Sequence, residues 1–156
     1  MRRGPAPADL RWLRYAIDLS RRCPPSPNAY NVGAVIVDAA GCEIGSGYSR
    51  DTEPAVHAEE SALSRLRPGD HRLLGATLYS TLEPCTERRS RPQSCADLIL
   101  AAGIPRVVIA WREPALFVAD CHGVERLLDA GVTVVEIPEL DGAARAVNGH
   151  LRGIAS

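Results

Sequence analysis

The chain of 156 residues is predicted to fold as an α/β domain, a three-layer sandwich in which helices cover both faces of a five-stranded mixed sheet. Three observations carry this. Short β-branched runs alternate with stretches of helical periodicity. The first two runs are joined by a glycine-containing turn, which makes a hairpin and therefore antiparallel neighbours. The later runs are linked only through helices, and such crossovers make parallel neighbours.

Residues 8–22 place Leu10, Leu13 and Ile17, and Trp12, Ala16 and Leu19, at helical spacing between arginines and aspartates. Cys23-Pro24-Pro25-Ser26-Pro27-Asn28 ends that helix in a stiff loop. A buried strand is predicted over 32–37, a turn at Ala39-Ala40-Gly41, and a second strand over 42–48. A helix opens at the His57 segment and runs to about Leu66, before Pro68-Gly69-Asp70. The third strand, 77–80, leads into Leu82-Glu83-Pro84-Cys85. From Ser94 to about Ala102 a helix ends at Gly103, a good stop residue. The fourth strand covers 107–110, a helix 124–130 ends at Gly131, and the fifth strand covers 132–135. Residues 139–152 read as a helix packed on the outside with a mobile end. With no repeat or linker, residues 1–156 read as a single domain with its core over about 10–138 and a C-terminal helix or tail over 139–156.

The formal net charge of −1 offers no basic excess for nucleic acid. No apolar run approaches the length of a membrane span, and Met1-Arg2-Arg3-Gly4-Pro5 lacks the apolar segment of a secretory signal, so a soluble cytoplasmic protein is expected. Five cysteines without paired spacings argue against a disulfide framework.

The most informative feature is His57-Ala58-Glu59, followed by Pro84-Cys85 and then Cys95. One imidazole and two thiolates supply three zinc ligands and leave the fourth position open, as catalytic rather than structural zinc sites do. Glu59 stands where it can move protons at that position. His57 and Glu59 open one helix and Cys95 another, and helix N-termini favour the thiolate. Cys23, Cys42 and Cys121 read as spare thiols, and His71, His122 and His150 as ordinary histidines without ligand spacing.

At these residues the chain resembles the cytidine deaminase-like superfamily, and within it the deaminases of riboflavin biosynthesis. The stretches that carry the resemblance are 32–38, His57-Ala58-Glu59-Glu60, and Thr81-Leu82-Glu83-Pro84-Cys85 running to Cys95-Ala96-Asp97, extended by 101–109, Glu113-Pro114 and 123–132. Nine residues, Thr86 to Ser94, separate the two cysteines, where most nucleoside deaminases of the superfamily have two. The long insert, Cys23-Pro24-Pro25, Gly47-Tyr48-Ser49-Arg50 and Phe117-Val118 are most similar to the fungal-type, single-domain diaminopyrimidine phosphate deaminase. The resemblance implies one Zn2+ per chain held by His57, Cys85 and Cys95, with Glu59 as the catalytic acid/base. It implies a phosphorylated pyrimidine as substrate, either 2,5-diamino-6-ribosylamino- or 2,5-diamino-6-ribitylamino-4(3H)-pyrimidinone 5′-phosphate. A homodimer and a separate reductase are the expected protein partners. Nucleic acid and membrane are not expected.

Further residues are assigned as candidate substrate contacts. Asn28 or Asn31 takes the place of the asparagine that touches substrate in the bacterial family. Arg88, Arg89 and Arg91 either grip the phosphate or form a solvated basic loop, and Arg50 has the same two readings. Trp111 either stacks on the pyrimidine or packs in the core. Glu83 either bonds an exocyclic amine or orders its turn. Three rivals remain: a cytosine-type deaminase of secondary metabolism, a non-catalytic zinc-binding module, and RNA editing, which the balanced charge and the long insert disfavour.

Overall fold

The computed structural model describes residues 4–88, 91–112 and 121–151. Helix α1 (Pro7–Ser20) precedes a hairpin of β1 (Gly33–Val37) and β2 (Glu43–Tyr48). There follow α2 (Ala58–Ser64), β3 (Thr77–Leu82), α3 (Cys95–Ala102), β4 (Arg106–Trp111), α4 (Gly123–Asp129), β5 (Thr133–Glu136) and α5 (Asp141–Ala146). The sheet order is β2-β1-β3-β4-β5. Strand β1 is antiparallel to β2 and to β3, whereas β3, β4 and β5 run parallel. The mixed five-stranded sheet is therefore as the sequence predicts.

Helices cover both faces, and three glycines show why they sit so close. A Cβ on Gly33 would lie 1.9 Å from the Ala16 carbonyl oxygen in α1, whereas one on Gly47 would lie 2.6 Å from Ser61 in α2. Gly33 pairs with Tyr48 and Ala34 with Gly47, so Gly33 and Gly47 point to opposite faces. Helix α1 thus covers one face and α2 the other, where α2 touches α3 and α3 touches α4. Across the α2 face runs a row of small residues, Gly47–Ala34–Ser80, which ends at Ile109 of β4. Gly123 has a similar constraint: a Cβ there would meet the Pro84 carbonyl oxygen at 2.0 Å, so the start of α4 can lie against the segment that carries Cys85.

Strands buried on both faces need continuous apolar runs. Val107, Val108 and Ile109 of β4 are fully buried, as are Ala34, Val35 and Ile36 of β1. Against the α1 face, Asp9 forms a buried polar knot with Tyr79 and Arg106. Its carboxylate accepts from the Tyr79 hydroxyl at 2.7 Å and from Arg106 Nη1 and Nη2 at 2.8 and 2.7 Å.

Two elements differ from expectation. A 3-10 turn at His71–Gly75, capped by Asp70, fills the link before β3. The C-terminal helix is shorter than 139–152: a 3-10 turn at Pro138–Leu140 precedes α5, which ends at Ala146. Beyond it the buried Asn148 accepts the Asn31 backbone N–H at 2.7 Å and donates to the Asn31 carbonyl oxygen at 3.1 Å, so the chain is held by a distant partner as well as by the carbonyl oxygens of Ala144 and Arg145 in its own helix. Residues 152–156, at and past the end expected to be mobile, lie outside the described residues. Among the described residues no helix is long and apolar enough to cross a membrane.

Candidate metal centre and active site

The parallel strands β3 and β4 and the helices over the α2 face converge at the carboxyl end of β3. His57 occupies the N-cap of α2 and Cys95 the first turn of α3, with Cys85 in the loop after β3. Ser94 fixes the start of α3, accepting the Asp97 N–H at 3.1 Å while Asp97 accepts the Ser94 N–H at 3.3 Å. The next free amides of that helix go to Cys85: Cys95 N–H donates to Cys85 Sγ at 3.3 Å and Ala96 N–H to the Cys85 carbonyl oxygen at 3.0 Å.

His57 Nδ1 faces both sulfurs, 3.7 Å from Cys85 Sγ and 3.3 Å from Cys95 Sγ. The three ligand atoms lie within 4.8 Å of one another. Tetrahedral zinc with bonds of about 2.1 Å to nitrogen and about 2.3 Å to sulfur sets its ligands roughly 3.6 Å apart. The triangle therefore fits a zinc ion, and it selects Nδ1 over Nε2. Among the described residues it is the sole His/Cys/Asp/Glu group of metal-binding geometry. Cys23 and Cys121 instead approach the carbonyl oxygens of Val32 and Pro84, and Cys42 is exposed.

The charge pattern also suits a cation. The hydrogen bond from Cys95, then that with His57, outweighs burial and brings the Cys85 thiol down to about 4. Cys95 is pushed up, first by that same hydrogen bond and then by burial. Two adjacent thiolates repel unless a positive ion lies between them. Burial opposes a charged His57, yet its contact with Cys85 and the Glu59 charge raise the imidazole above its usual value.

Glu59 is buried beside the triangle, and its Oε1 lies 2.6 Å from the Ser80 hydroxyl. The sequence reading missed Ser80, whose alternation in β3 signals only an inward position. Glu60 accepts the His57 N–H at 3.3 Å and Arg91 Nε at 3.2 Å, and it forms an ion pair with Arg88 Nη1 at 3.1 Å. These bonds hold its carboxyl below its usual value although burial acts the other way.

The remaining assignments divide. Arg88, whose side chain is 3% exposed, also donates to the Ala55 carbonyl oxygen at 2.7 Å, so it ties the insert to the approach to His57. Arg91 pairs with Glu53 as well as Glu60 and keeps a third of its side chain exposed. Arg89 lies outside the described residues, as do Glu113, Pro114, Phe117 and Val118. Arg50, with φ of 63°, spends its guanidinium on the carbonyl oxygens of Pro24 and Tyr30 and on Asn31 Oδ1. Asn31 also donates to the Val147 carbonyl oxygen at 3.2 Å, so its amide is engaged at both ends. Asn28 is exposed, with Oδ1 only 3.4 Å from Ser26 Oγ. Glu83 accepts the Val124 N–H at 2.8 Å at the start of α4, which favours the turn-ordering role. Trp111 is buried with Tyr30 edge-on and Arg145 over its ring, a packing position. His150, discounted from the sequence, lies 2.9 Å from the Ala29 carbonyl oxygen and helps hold the 28–31 loop.

A helix-covered mixed sheet with a His/Cys/Cys triangle and a buried glutamate defines the zinc-dependent deaminase class. The family model described as the cytidine and deoxycytidylate deaminase zinc-binding region matches residues 7–111, and the chain belongs to that family. Among curated relatives, the chain is 41% identical over 143 residues to the diaminohydroxyphosphoribosylamino-pyrimidine deaminase of Schizosaccharomyces pombe, covering 89% of this chain and 35% of that protein. It is 35% identical over 144 residues to the riboflavin biosynthesis protein RibD of Aquifex aeolicus, covering 90% and 37%. The solved diaminohydroxyphosphoribosylaminopyrimidine deaminase/5-amino-6-(5-phosphoribosylamino)uracil reductase of Thermotoga maritima superposes with a TM-score of 0.77 at 32% identity, over 90% of this chain and 39% of that one. The chain thus spans little more than a third of each of these proteins.

Proposed function

We propose that this chain is a zinc-dependent aminohydrolase that replaces a ring amino group of a phosphorylated diaminopyrimidine with a carbonyl in riboflavin biosynthesis. The substrate is 2,5-diamino-6-ribosylamino-4(3H)-pyrimidinone 5′-phosphate or its ribitylamino counterpart. The observation that carries the chemistry is the His57–Cys85–Cys95 triangle with Glu59 buried beside it. The names of the relatives support the substrate and the pathway. We further propose one zinc per chain, a single deaminase domain acting as a homodimer in the cytoplasm, and a separate reductase for the step that follows.

In this reading His57 Nδ1 and the two sulfurs hold the metal. There the metal would supply Lewis acidity that makes the attacking water easier to deprotonate. Glu59 takes the proton from the attacking water, whose oxygen bonds to the amine-bearing ring carbon. The same carboxyl then delivers that proton to the ring nitrogen. As the C–N bond breaks, the proton of the newly attached hydroxyl passes through Glu59 to the leaving amine, the oxygen becomes the carbonyl, and ammonia departs. Cys85 is held by the amides of α3, and His57 by the Glu60 bond at the start of α2. Asn28, exposed at the loop tip, is the asparagine left to meet substrate, because Asn31 and Arg50 brace its loop. Phosphate recognition is assigned to Arg91 and Arg89, while Arg88 secures the insert.

Purified protein given the ribosylamino and ribitylamino pyrimidine phosphates, CMP, dCMP and cytidine should release ammonia from one of the first two. Release from cytidine or CMP alone would establish the cytosine-type reading. Release from none would return the chain to a zinc-binding module.

A further inference from the structure

Ser80 is the last small residue of the row on which α2 lies, before Ile109. Its register partners are Ala34 in β1 and Ile109 in β4, and Ala34 in turn pairs with Gly47. The closeness of α2 to this row brings the Glu59 carboxylate down to the sheet. Within the row Ser80 offers the polar side chain, fully buried, with Oγ 2.6 Å from Glu59 Oε1 and 2.8 Å from the Leu82 carbonyl oxygen. A hydroxyl has one proton to donate and lone pairs to accept with. It can therefore donate to Glu59 as a carboxylate, or accept from Glu59 as a carboxylic acid while donating to Leu82.

We infer that Ser80 is a positioning residue for Glu59. Its hydroxyl holds Oε1 against β3 and leaves Oε2 as the oxygen that carries protons to and from the substrate. The inference rests on the proposed role of Glu59 as acid/base. Nothing in the His-x-Glu and Pro-Cys signature requires it, since an apolar side chain would fill the same place in the row. Buried polar partners of a catalytic group typically matter by about 10–100-fold.

The test compares Ser80→Ala, Ser80→Cys and Ser80→Thr, each alone and with Glu59→Gln, in zinc-loaded enzyme acting on the ribosylamino pyrimidine phosphate. The cysteine variant keeps nearly the same volume but donates weakly, so packing is preserved if the alanine variant folds poorly. Expected is a loss in kcat of about 10–100-fold for alanine and cysteine with KM within about twofold and zinc content unchanged, while threonine, which keeps the hydroxyl, stays within about threefold of wild type. In the Glu59→Gln background the Ser80 changes should cost little more, since the oxygen they steer no longer carries a proton. Wild-type kcat in both Ser80→Ala and Ser80→Cys, with Glu59→Gln inactive, would overturn the positioning role alone. Losses that add in full to those of Glu59→Gln, or that follow zinc loss, would overturn it too. Near wild-type turnover by Glu59→Gln itself would instead remove the acid/base reading on which the inference stands.

Discussion

Glu60 Oε1 and Arg88 Nη1 form an ion pair at 3.1 Å, and through this pair the insert between the two cysteines is fastened to the turn that carries His57. The insert is thereby part of the frame of the metal centre. The arginine side chain is nearly buried, and without it Glu60 keeps Arg91 and the His57 N–H. Arg88→Ala should destabilise the fold by about 1–3 kcal/mol and speed zinc loss to a chelator. Its effect on kcat/KM should be equal for phosphorylated and dephosphorylated substrate. A selective loss with the phosphorylated substrate would return Arg88 to phosphate binding.

Arg91 behaves differently because it is exposed. Its ion pairs are screened by solvent, so Arg91→Ala should leave the melting temperature nearly unchanged. KM should rise roughly 10–100-fold for the phosphorylated substrate and hardly at all for the dephosphorylated analogue. Equal KM changes for the two would show that this arginine does not read phosphate.

Metal analysis checks the ligand set. Wild-type protein should carry about one zinc per chain. Cys85→Ser or Cys95→Ser should lose it and melt lower, because the metal joins the starts of α2 and α3 to the loop after β3. Full occupancy in both variants would refute the assignment.

Glu59→Ala separates the metal from the chemistry. Zinc and fold should persist while ammonia release falls by about 10²–10⁴-fold, the range for an acid/base group. Turnover near the wild-type rate would remove Glu59 from the mechanism.

Acid stability should report on Asp9, far from the metal. Burial alone would raise its carboxyl, but hydrogen bonds from Arg106 and Tyr79 prevail and hold it at about 2. An unfolded aspartate titrates near about 3.9. The folded state thus gains stability, on the order of 2 kcal/mol, that is complete above pH of about 4 and lost as pH falls towards about 2. Asp9→Asn should lower the melting temperature at neutral pH by several degrees and flatten its decline between those pH values. An unchanged acid limb in calorimetry would contradict this.

Much of the fold was legible along the chain because its signals are local. The β-branched runs of β1 and β4 and the stop at Gly103, which takes φ of 79°, show in the order of residues themselves. The site's chemistry was legible for a related reason, since imidazole, thiol and carboxyl groups bring their reactivity with them. Their spacing along predicted helix starts was enough to group His57, Glu59, Cys85 and Cys95.

Residue type alone could not say where a guanidinium or an amide would find its partner. Arg50 and Arg88 looked alike as free cations, yet one closes on Pro24, Tyr30 and Asn31 and the other on Glu60 and Ala55. Asn31 meets Asn148 across more than a hundred residues, and Ser80 meets Glu59 because a glycine in another strand lets α2 approach. The sequence by itself determined the order of elements and the reactive groups at the metal centre, both set by local propensity and side-chain chemistry. Only the tertiary structure decided which polar groups are spent on one another, because hydrogen bonds and ion pairs depend on distances that chain packing alone establishes.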